Sequence, residues 1–554
     1  MLINVRGIGE VGVVSDVAAW ELPPNGLTDG RNFRVMSGKI QASGGSKKDN
    51  VEYRAMDWDG QIGSWDGSKE FIWGSGSAAS GNIGHLLQSS DFEGNSKWIA
   101  CTSKTVESYS ENKFEVILDI GRDVNEQSWT SCQIGQVTFL NNPSINPVYF
   151  TDWSTGSEDA INLPWVAGGA PGDSWEDRNV SARIICSHKN FLFAMGMTEP
   201  DPVNGGTAYY EDRVRWSHPC DPNGIPYTWE GPDVDPSSLA GYLTLGRGGR
   251  IVGAESLRDS FVIYSEKALN VLDFTGDALV WRRRTLTQNA GLVSRDGLVE
   301  VSGRHYFISN EDILVFDGNN AQSILHGRLR KRFGSTLNED ARHTSFAVHH
   351  KMMGEIWFCV AEEGYDKPNV AYVYNYRDNT WALRDLSTER TFAHAAYGVQ
   401  PTATYEWESW EGLWADERAT WATANRQAFD GALIGASGPD VYNLDTQNPD
   451  EEGLTTFIER THMPIVGHDD VSTITRVYPL VEGKTPVKVS VGSHHYAGDG
   501  ARWAGDKREF SPSTDRKIDV RTSGELHSWR VEGPANGNFD ISGIDVEWQP
   551  AGSR

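Results

Sequence analysis

Apolar residues in this chain come in short bursts, and the clearest set lies within residues 291–320. Three runs stand there: LVEV (298–301), RHYFIS (304–309) and DILVF (312–316). Ser302-Gly303, the corner Ser309-Asn310-Glu311 and Asp317-Gly318-Asn319 separate and follow them. Runs of about five residues rich in Val, Ile, Tyr and Phe, broken by Gly, Asn and Asp, predict an antiparallel meander. So small a sheet cannot bury both faces alone, so it is one unit of a larger stack. Related units flank it. Residues 258–276 predict two strands around Ser265-Glu266-Lys267, and residues 354–382 predict two more, the second ending in Trp381 after an Asn turn. The recurrence predicts an all-β chain, a β-propeller of antiparallel meanders, and argues against an α/β enzyme fold.

The pattern also divides the chain. Residues 1–45 are extended and turn-rich: Pro23-Pro24 forbids helix there, and 32–35 followed by 37–40 reads as a hairpin. Residues 46–450 carry the propeller, with loop insertions near 151–180, rich in Gly, Pro, Ser and Asp and read as a long surface loop, and near 399–425. Residues 451–554 change rhythm to five longer alternating strands, a β-sandwich-like lobe after a polar link at 446–453. A short amphipathic helix fits only 325–333. In 404–421, Trp407, Trp414 and Trp421 are spaced by seven with Trp410 between them. That stretch reads either as a packed excursion hiding its own indoles or as an arm contacting another subunit.

Composition sharpens this picture in three places. Mean hydropathy is -0.48 and there is no apolar run long enough for a membrane helix. Arg6, Glu10 and Asp16 interrupt the opening residues where an export signal needs an apolar stretch, which predicts a protein made and kept in a cytoplasm. The five cysteines (Cys101, Cys132, Cys186, Cys220, Cys359) are odd in number and widely spaced, which predicts reduced thiols and no zinc knuckle. A formal charge of -26 opposes a tight grip on nucleic acid but suits a surface that DNA slides past.

No catalytic constellation stands out: there is no GxSxG, HExxH, phosphate loop or calcium loop. His349-His350 and His494-His495 are adjacent pairs, and strand neighbours point to opposite faces, so neither pair alone chelates a metal. The chain is therefore read as having no catalytic, cofactor or metal residues. Two basic clusters break the acidic background: Arg282, Arg283 and Arg284, and Arg328, Arg330, Lys331 and Arg332. They are either solvated or paired within the chain, or they face an acidic neighbouring subunit; the subunit interface is the preferred reading, since the net charge is wrong for holding DNA.

Several segments together resemble a known family. They are GIGEVGVVSDVAAWELPPNGLTDGRNFRVMSGKI near the start, RVRWSHPCDPNGIPYTWE (213–230), the FVIYSEKALNVL pair, NAGLVSRDGLVEVSGRHYFISNEDILVFDG, VYNYRDNTWALRD (372–385), the Trp-spaced stretch and the ending ISGIDVEWQPAGSR. In this order they resemble the tail nozzle proteins of short-tailed bacteriophages, also called tail tubular protein B. The resemblance implies a non-enzymatic virion protein built on a β-propeller with added β lobes, assembled in the host cytoplasm and carried in the tail. It implies a homohexameric ring below a tail adaptor ring, near tail fibres or spikes. Such a ring continues and closes the channel for double-stranded DNA, then lets the genome pass at the host cell envelope. The alternatives are a propeller-type carbohydrate-binding or glycan-processing protein and a receptor-binding tail spike.

Overall fold

The structure is a computed structural model describing residues 1–49, 54–56, 70–72, 77–90, 96–110, 113–151, 160–168, 173–221, 224–246, 248–276, 279–287, 290–399, 431–446, 454–466, 470–535 and 537–553. Among them, seven four-stranded antiparallel units succeed one another. Their first strands are His85–Ser90, Thr130–Ile134, Ser181–His188, Ile251–Leu257, Leu298–Val301, Phe346–His350 and His394–Val399. Each first strand neighbours the first strand of the next unit, and the seventh returns to the first. This is a closed seven-bladed β-propeller, with those strands around its axis; blades are numbered here in that order.

The meander at 291–320 is blade 5. Its strands are Leu298–Val301, Arg304–Ser309, Asp312–Phe316 and a short fourth, Ala321–Ser323. Ser302 (φ 53°) and Gly303 (φ 74°) turn the chain so that Val301 pairs Arg304. Positive φ at both central residues gives the tight hairpin whose twist matches its strands. The two related stretches supply the middle strands of blade 4, Ser260–Ser265 and Leu269–Phe274, and three strands of blade 6, Glu355–Val360, Val370–Asn375 and Thr380–Asp385.

The core lies between successive blades. Phe193, Met195 and Trp216 of blade 3 pack on Phe261, Ile263 and Trp281 of blade 4, with Phe193 and Phe261 stacked at 4.3 Å. Removing such a buried ring costs about 3–5 kcal/mol. Within 151–180, the described stretches 160–168 and 173–180 differ from the surface loop their composition suggests. Trp165 and Trp175 are buried, meeting Trp229 edge-on or stacked at 5.0–6.1 Å. Three indoles offer too much apolar area to leave in water, so these stretches pack inward between blades 2 and 3.

The ring is closed by the N-terminal segment. Gly45–Lys48 pairs antiparallel with Asp440–Thr446 and becomes the outermost strand of blade 7. Nearby, the hairpin Phe33–Met36/Lys39–Ala42 turns at Ser37-Gly38. It joins a six-stranded sheet with Leu2–Arg6, Asp470–Gly483, Ile518–Gly524 and Phe539–Ser553. A second sheet starts as blade 6 and continues through Asp29–Arg31 into Thr455–Pro464, Leu526–Pro534 and Val487–His494. Asp29–Arg31 runs parallel to Thr380–Asp385 on one side and antiparallel to Thr455–Pro464 on the other. The two sheets face each other across Val35, Ile40, Val477, Val489, Trp529, Ile541 and Val546, a sandwich core continuous with that of blades 5 and 6.

The single α-helix among the described residues, Arg330–Thr336, starts later than the amphipathic stretch suggests. Residues 325–329 form the turn before it, and Leu325, Leu329 and Phe333 seal the junction of propeller and lobe. Its first amides are capped from far away: the Asp16 carboxylate accepts from Arg330 N (3.0 Å) and Lys331 N (2.9 Å). An acid there suits the positive end of a helix. No helix among the described residues is long and apolar enough to cross a membrane.

Candidate functional site

The two basic clusters have different fates. Arg282, Arg283 and Arg284 lie on Trp281–Thr287, the outermost strand of blade 4, and all three are exposed. Arg284 Nε meets Asp273 Oδ2 at 2.8 Å, a half-exposed pair within the blade. Arg283 donates to the carbonyls of Thr244 and Leu245 and so bridges to the outermost strand of blade 3.

The second cluster is drawn inward. Arg328 donates to Val11 O at 2.6 Å, Arg330 pairs with Asp312 at 3.3 Å, Lys331 Nζ donates to Asp16 O, and Arg332 meets Asp29 at 2.7 Å. The acids and carbonyls that attract it belong to the same chain. Within the chain these contacts clamp the N-terminal segment on the propeller, while Arg330 and Lys331 keep exposed surface. Trp407, Trp410, Trp414 and Trp421 lie outside the described residues.

Exposed aromatic and apolar side chains also lie on the outer parts of blades 3 and 4. Tyr209, Tyr242, Phe274 and Leu279 are 51%, 57%, 41% and 72% exposed. Tyr242 and Tyr210 flank the Arg213 guanidinium at 5.0 and 3.6 Å, and Phe274 lies directly opposite Trp281 in the blade 4 register. Phe274 and Leu279 thus flank the arginine strand of blade 4, whereas Tyr209 and Tyr242 belong to blade 3.

A different cluster occupies the axis. The link between blades 4 and 5 crosses the converging first strands: Ala347 N of blade 6 donates to Asp296 O at 2.7 Å. The Asp296 carboxylate reaches His394, which opens the first strand of blade 7, and His85, which opens that of blade 1. One donor atom from each of the three lies within 4.8 Å of the others, and the two imidazoles sit 4.6 Å apart, tilted by 46°. Arg295 grips Asp296 with two bonds, Nε to Oδ1 at 3.0 Å and Nη2 to Oδ2 at 2.6 Å. His85 Nε2 lies 2.9 Å from Ser131 Oγ of blade 2. His394 Nδ1 accepts from Leu86 N at 3.3 Å.

Electrostatics follow from enclosure. Burial favours the neutral forms of His85 and His394 and lowers both pKa values. For Asp296 burial pushes upward, but the adjoining Arg295 guanidinium, helped by the two imidazoles, holds the carboxyl below its usual range. Glu255, on the first strand of blade 4, keeps solvent-accessible surface although the blades surround it; that enclosure pushes its carboxyl up to about 6. The axis therefore carries an anchored ion pair, two imidazoles that burial keeps neutral and a carboxyl with a raised pKa.

The adjacent histidine pairs behave as strand geometry requires. His349 Nε2 lies 3.1 Å from Tyr376 Oη, while His350 Nε2 turns the other way, 3.2 Å from Asp445. His494 stacks on His462 at 3.8 Å and meets Ser528 Oγ at 2.6 Å inside the lobe. Sequence reasoning passed over His85, Asp296 and His394 because they are distant in the chain. The signal that could have found two of them is positional: His85 and His394 each open the innermost strand of their blade.

No family model matches the chain, and no curated protein matches it. Solved structures resemble it weakly. YCF48 bound to D1 peptide is 10% identical with a TM-score of 0.35, covering 68% of this chain and 96% of that one. The extracellular domain described as the hybrid two component system BT3049 of Bacteroides thetaiotaomicron is 11% identical with a TM-score of 0.38, covering 90% of this chain and 58% of that one. A protein of Bacteroides fragilis described as a 6-phosphogluconolactonase is 9% identical with a TM-score of 0.33, covering 58% and 85%. None of the three is described as a phage tail protein.

Proposed function

We propose that the chain is a non-enzymatic ring subunit of the nozzle of a short phage tail. Six copies surround the tail axis under an adaptor ring, hold the genome and let double-stranded DNA pass at the host envelope. The resembling segments named above suggest the family, and the fold, a propeller with an added β lobe, is the one that family leads one to expect. The observation that carries the reading is the rim of blades 3 and 4. There exposed Phe274 and Leu279 flank the solvent-facing Arg282–Arg284 strand, with exposed Tyr209 and Tyr242 on the neighbouring blade 3. Tyr, Phe and Arg are the residues enriched where proteins meet. A second copy is a fitting partner, because the surplus of 76 acidic over 50 basic residues leaves the rest of the surface acidic. The same surplus lets a channel wall repel phosphate, so that DNA moves without adhering.

Light scattering coupled to size exclusion, followed by negative-stain imaging of the purified full chain, tests the proposal. Particles of six subunits around a central hole are expected. A monomer at all concentrations, or a trimer, overturns it; a monomer retained on a glycan column points instead to the carbohydrate-binding alternative.

A further inference from the structure

We infer that His85, Asp296 and His394 form a binding site for one first-row divalent cation of the zinc type, which clamps the propeller where its first and last blades meet. The donor set is two imidazoles and one carboxylate, a combination that takes such ions and disfavours magnesium and calcium. The three donor atoms already converge within 4.8 Å; ligands of a tetrahedral ion with bonds of about 2.0–2.2 Å lie about 3.4 Å apart, so side-chain adjustments of about an ångström close the site.

Two observations at His85 point to a ligand. The residue is buried, yet its Nδ1 has no hydrogen-bond partner among the described residues. Its other nitrogen, Nε2, is set 2.9 Å from Ser131 Oγ. If Nε2–H donates to Ser131, the Nδ1 lone pair is left facing the cluster, which is how a metal-binding imidazole is usually fixed by its second hydrogen bond. The proton-free nitrogen of His394 makes only a 3.3 Å contact with Leu86 N, which it can give up. Arg295 occupies one lone pair on each Asp296 oxygen and leaves the others, orienting the carboxylate as an outer-sphere partner does.

Position gives the site its consequence. His394 belongs to blade 7 and His85 to blade 1, while Asp296 arrives from the link before blade 5. Blade 7 is completed by a strand borrowed from the N-terminus, so the two ends of the propeller's chain meet at this seam. A bound ion would join three otherwise separate segments at that point.

The experiment uses untagged full-length protein stripped with chelator and then titrated with zinc chloride. One equivalent is expected to bind, to raise the melting temperature by several degrees, and to be released by chelator. Cobalt chloride should give the visible d–d band of a low-coordinate site. His85→Asn and His394→Asn should each abolish both the band and the thermal shift, Asp296→Asn should weaken binding at least tenfold, and Ser131→Ala should weaken it about tenfold. His462→Asn, in the lobe, should change nothing. Absence of saturable zinc binding overturns the inference. So does a cobalt band that persists in a folded His85→Asn/His394→Asn variant, or one that His462→Asn removes. If the histidine variants do not fold, the wild-type cobalt band and the at least tenfold weaker cobalt binding of Asp296→Asn decide the matter.

Discussion

Arg34 and Glu355, 321 positions apart, meet in a buried two-pronged ion pair, Nε to Oε1 at 3.0 Å and Nη2 to Oε2 at 3.2 Å. Arg34 sits on the N-terminal hairpin and Glu355 on blade 6. The same guanidinium also reaches Asp445 of blade 7 at 2.6 Å, and Asp445 in turn receives Arg384 at 2.9 Å and His350 at 3.2 Å. Burial alone would neutralise Asp445, but Arg384 and Arg34 hold it well below the usual carboxylate range. Neutralising Glu355 leaves two buried guanidiniums, Arg34 and Arg384, to share the single Asp445 carboxylate. Glu355→Gln is therefore expected to cost about 3–5 kcal/mol in urea unfolding. A change under about 1 kcal/mol would show that the pair contributes nothing.

Propeller and lobe should unfold together. The strand Asp29–Arg31 joins their sheets, and one apolar core runs under both. A single calorimetric transition is expected, coincident by fluorescence and circular dichroism. Deleting residues 29–31 should abolish soluble expression. Two resolved transitions would mean that the shared sheet does not couple the parts.

Acid should weaken the fold through its enclosed histidines. Burial lowers His305 and His527 from 6.5 to about 4; His305 lies between Tyr264 Oη and Ser256 O, and His527 beside Ser472 Oγ. Between those values the unfolded chain takes up protons that the folded chain refuses, so stability falls as pH drops from 6.5 to 4. Each imidazole can withdraw up to about 3 kcal/mol by pH 4. Glu255, raised to about 6, works in the opposite sense between 4.5 and 6. Denaturant midpoints measured in chelator from pH 7 to 4.5 should decline, less steeply in His527→Asn. A flat profile counts against it.

What the sequence reveals depends on which strands it describes. The runs at 304–309 and 312–316 coincide with the two middle strands of blade 5, which are covered on both faces and become apolar, and the run at 298–301 is the innermost strand that leads into them. The innermost strands His85–Ser90 (HLLQSS) and Thr130–Ile134 (TSCQI) carry no such signal, since they line the axis and mix polar with apolar residues. Gly45–Lys48 (GSKK) has almost no strand propensity. It is a strand because the edge Asp440–Thr446 needs a partner. The axial cluster is hidden for a related reason: three residues from three segments meet only once the ring closes.

The thiols should be slow. All five cysteines are unpaired, and Cys101, Cys220 and Cys359 are buried. Burial pushes the Cys220 thiol up to about 12 and the other two higher, so thiolate is scarce. Ellman's reagent should leave these three unreacted in native protein and titrate five thiols in denaturant without reductant. Fewer than five would reveal a crosslink.

The rim of blade 4 gives the sharpest test of assembly. Arg282, Arg283 and Arg284 are exposed on an edge strand, flanked by Phe274 and Leu279. In isolation they contribute little: the Arg284–Asp273 pair is half-exposed and screened by solvent. Across an interface with an acidic second copy, the same guanidiniums become partly desolvated, and each contact broken there costs about 2–5 kcal/mol. Replacing all three by Glu should therefore leave the melting temperature of the monomer within a few degrees of wild type. The subunit concentration needed for ring assembly at moderate salt should rise at least tenfold. Restoring charge complementarity by reversing acids on the opposing face should recover it. If the variant assembles normally, this strand is not the interface. If wild-type rings bind duplex DNA tightly in low salt and intact variant rings do not, the arginines line the channel instead, and the acidic-wall account of DNA passage fails with them.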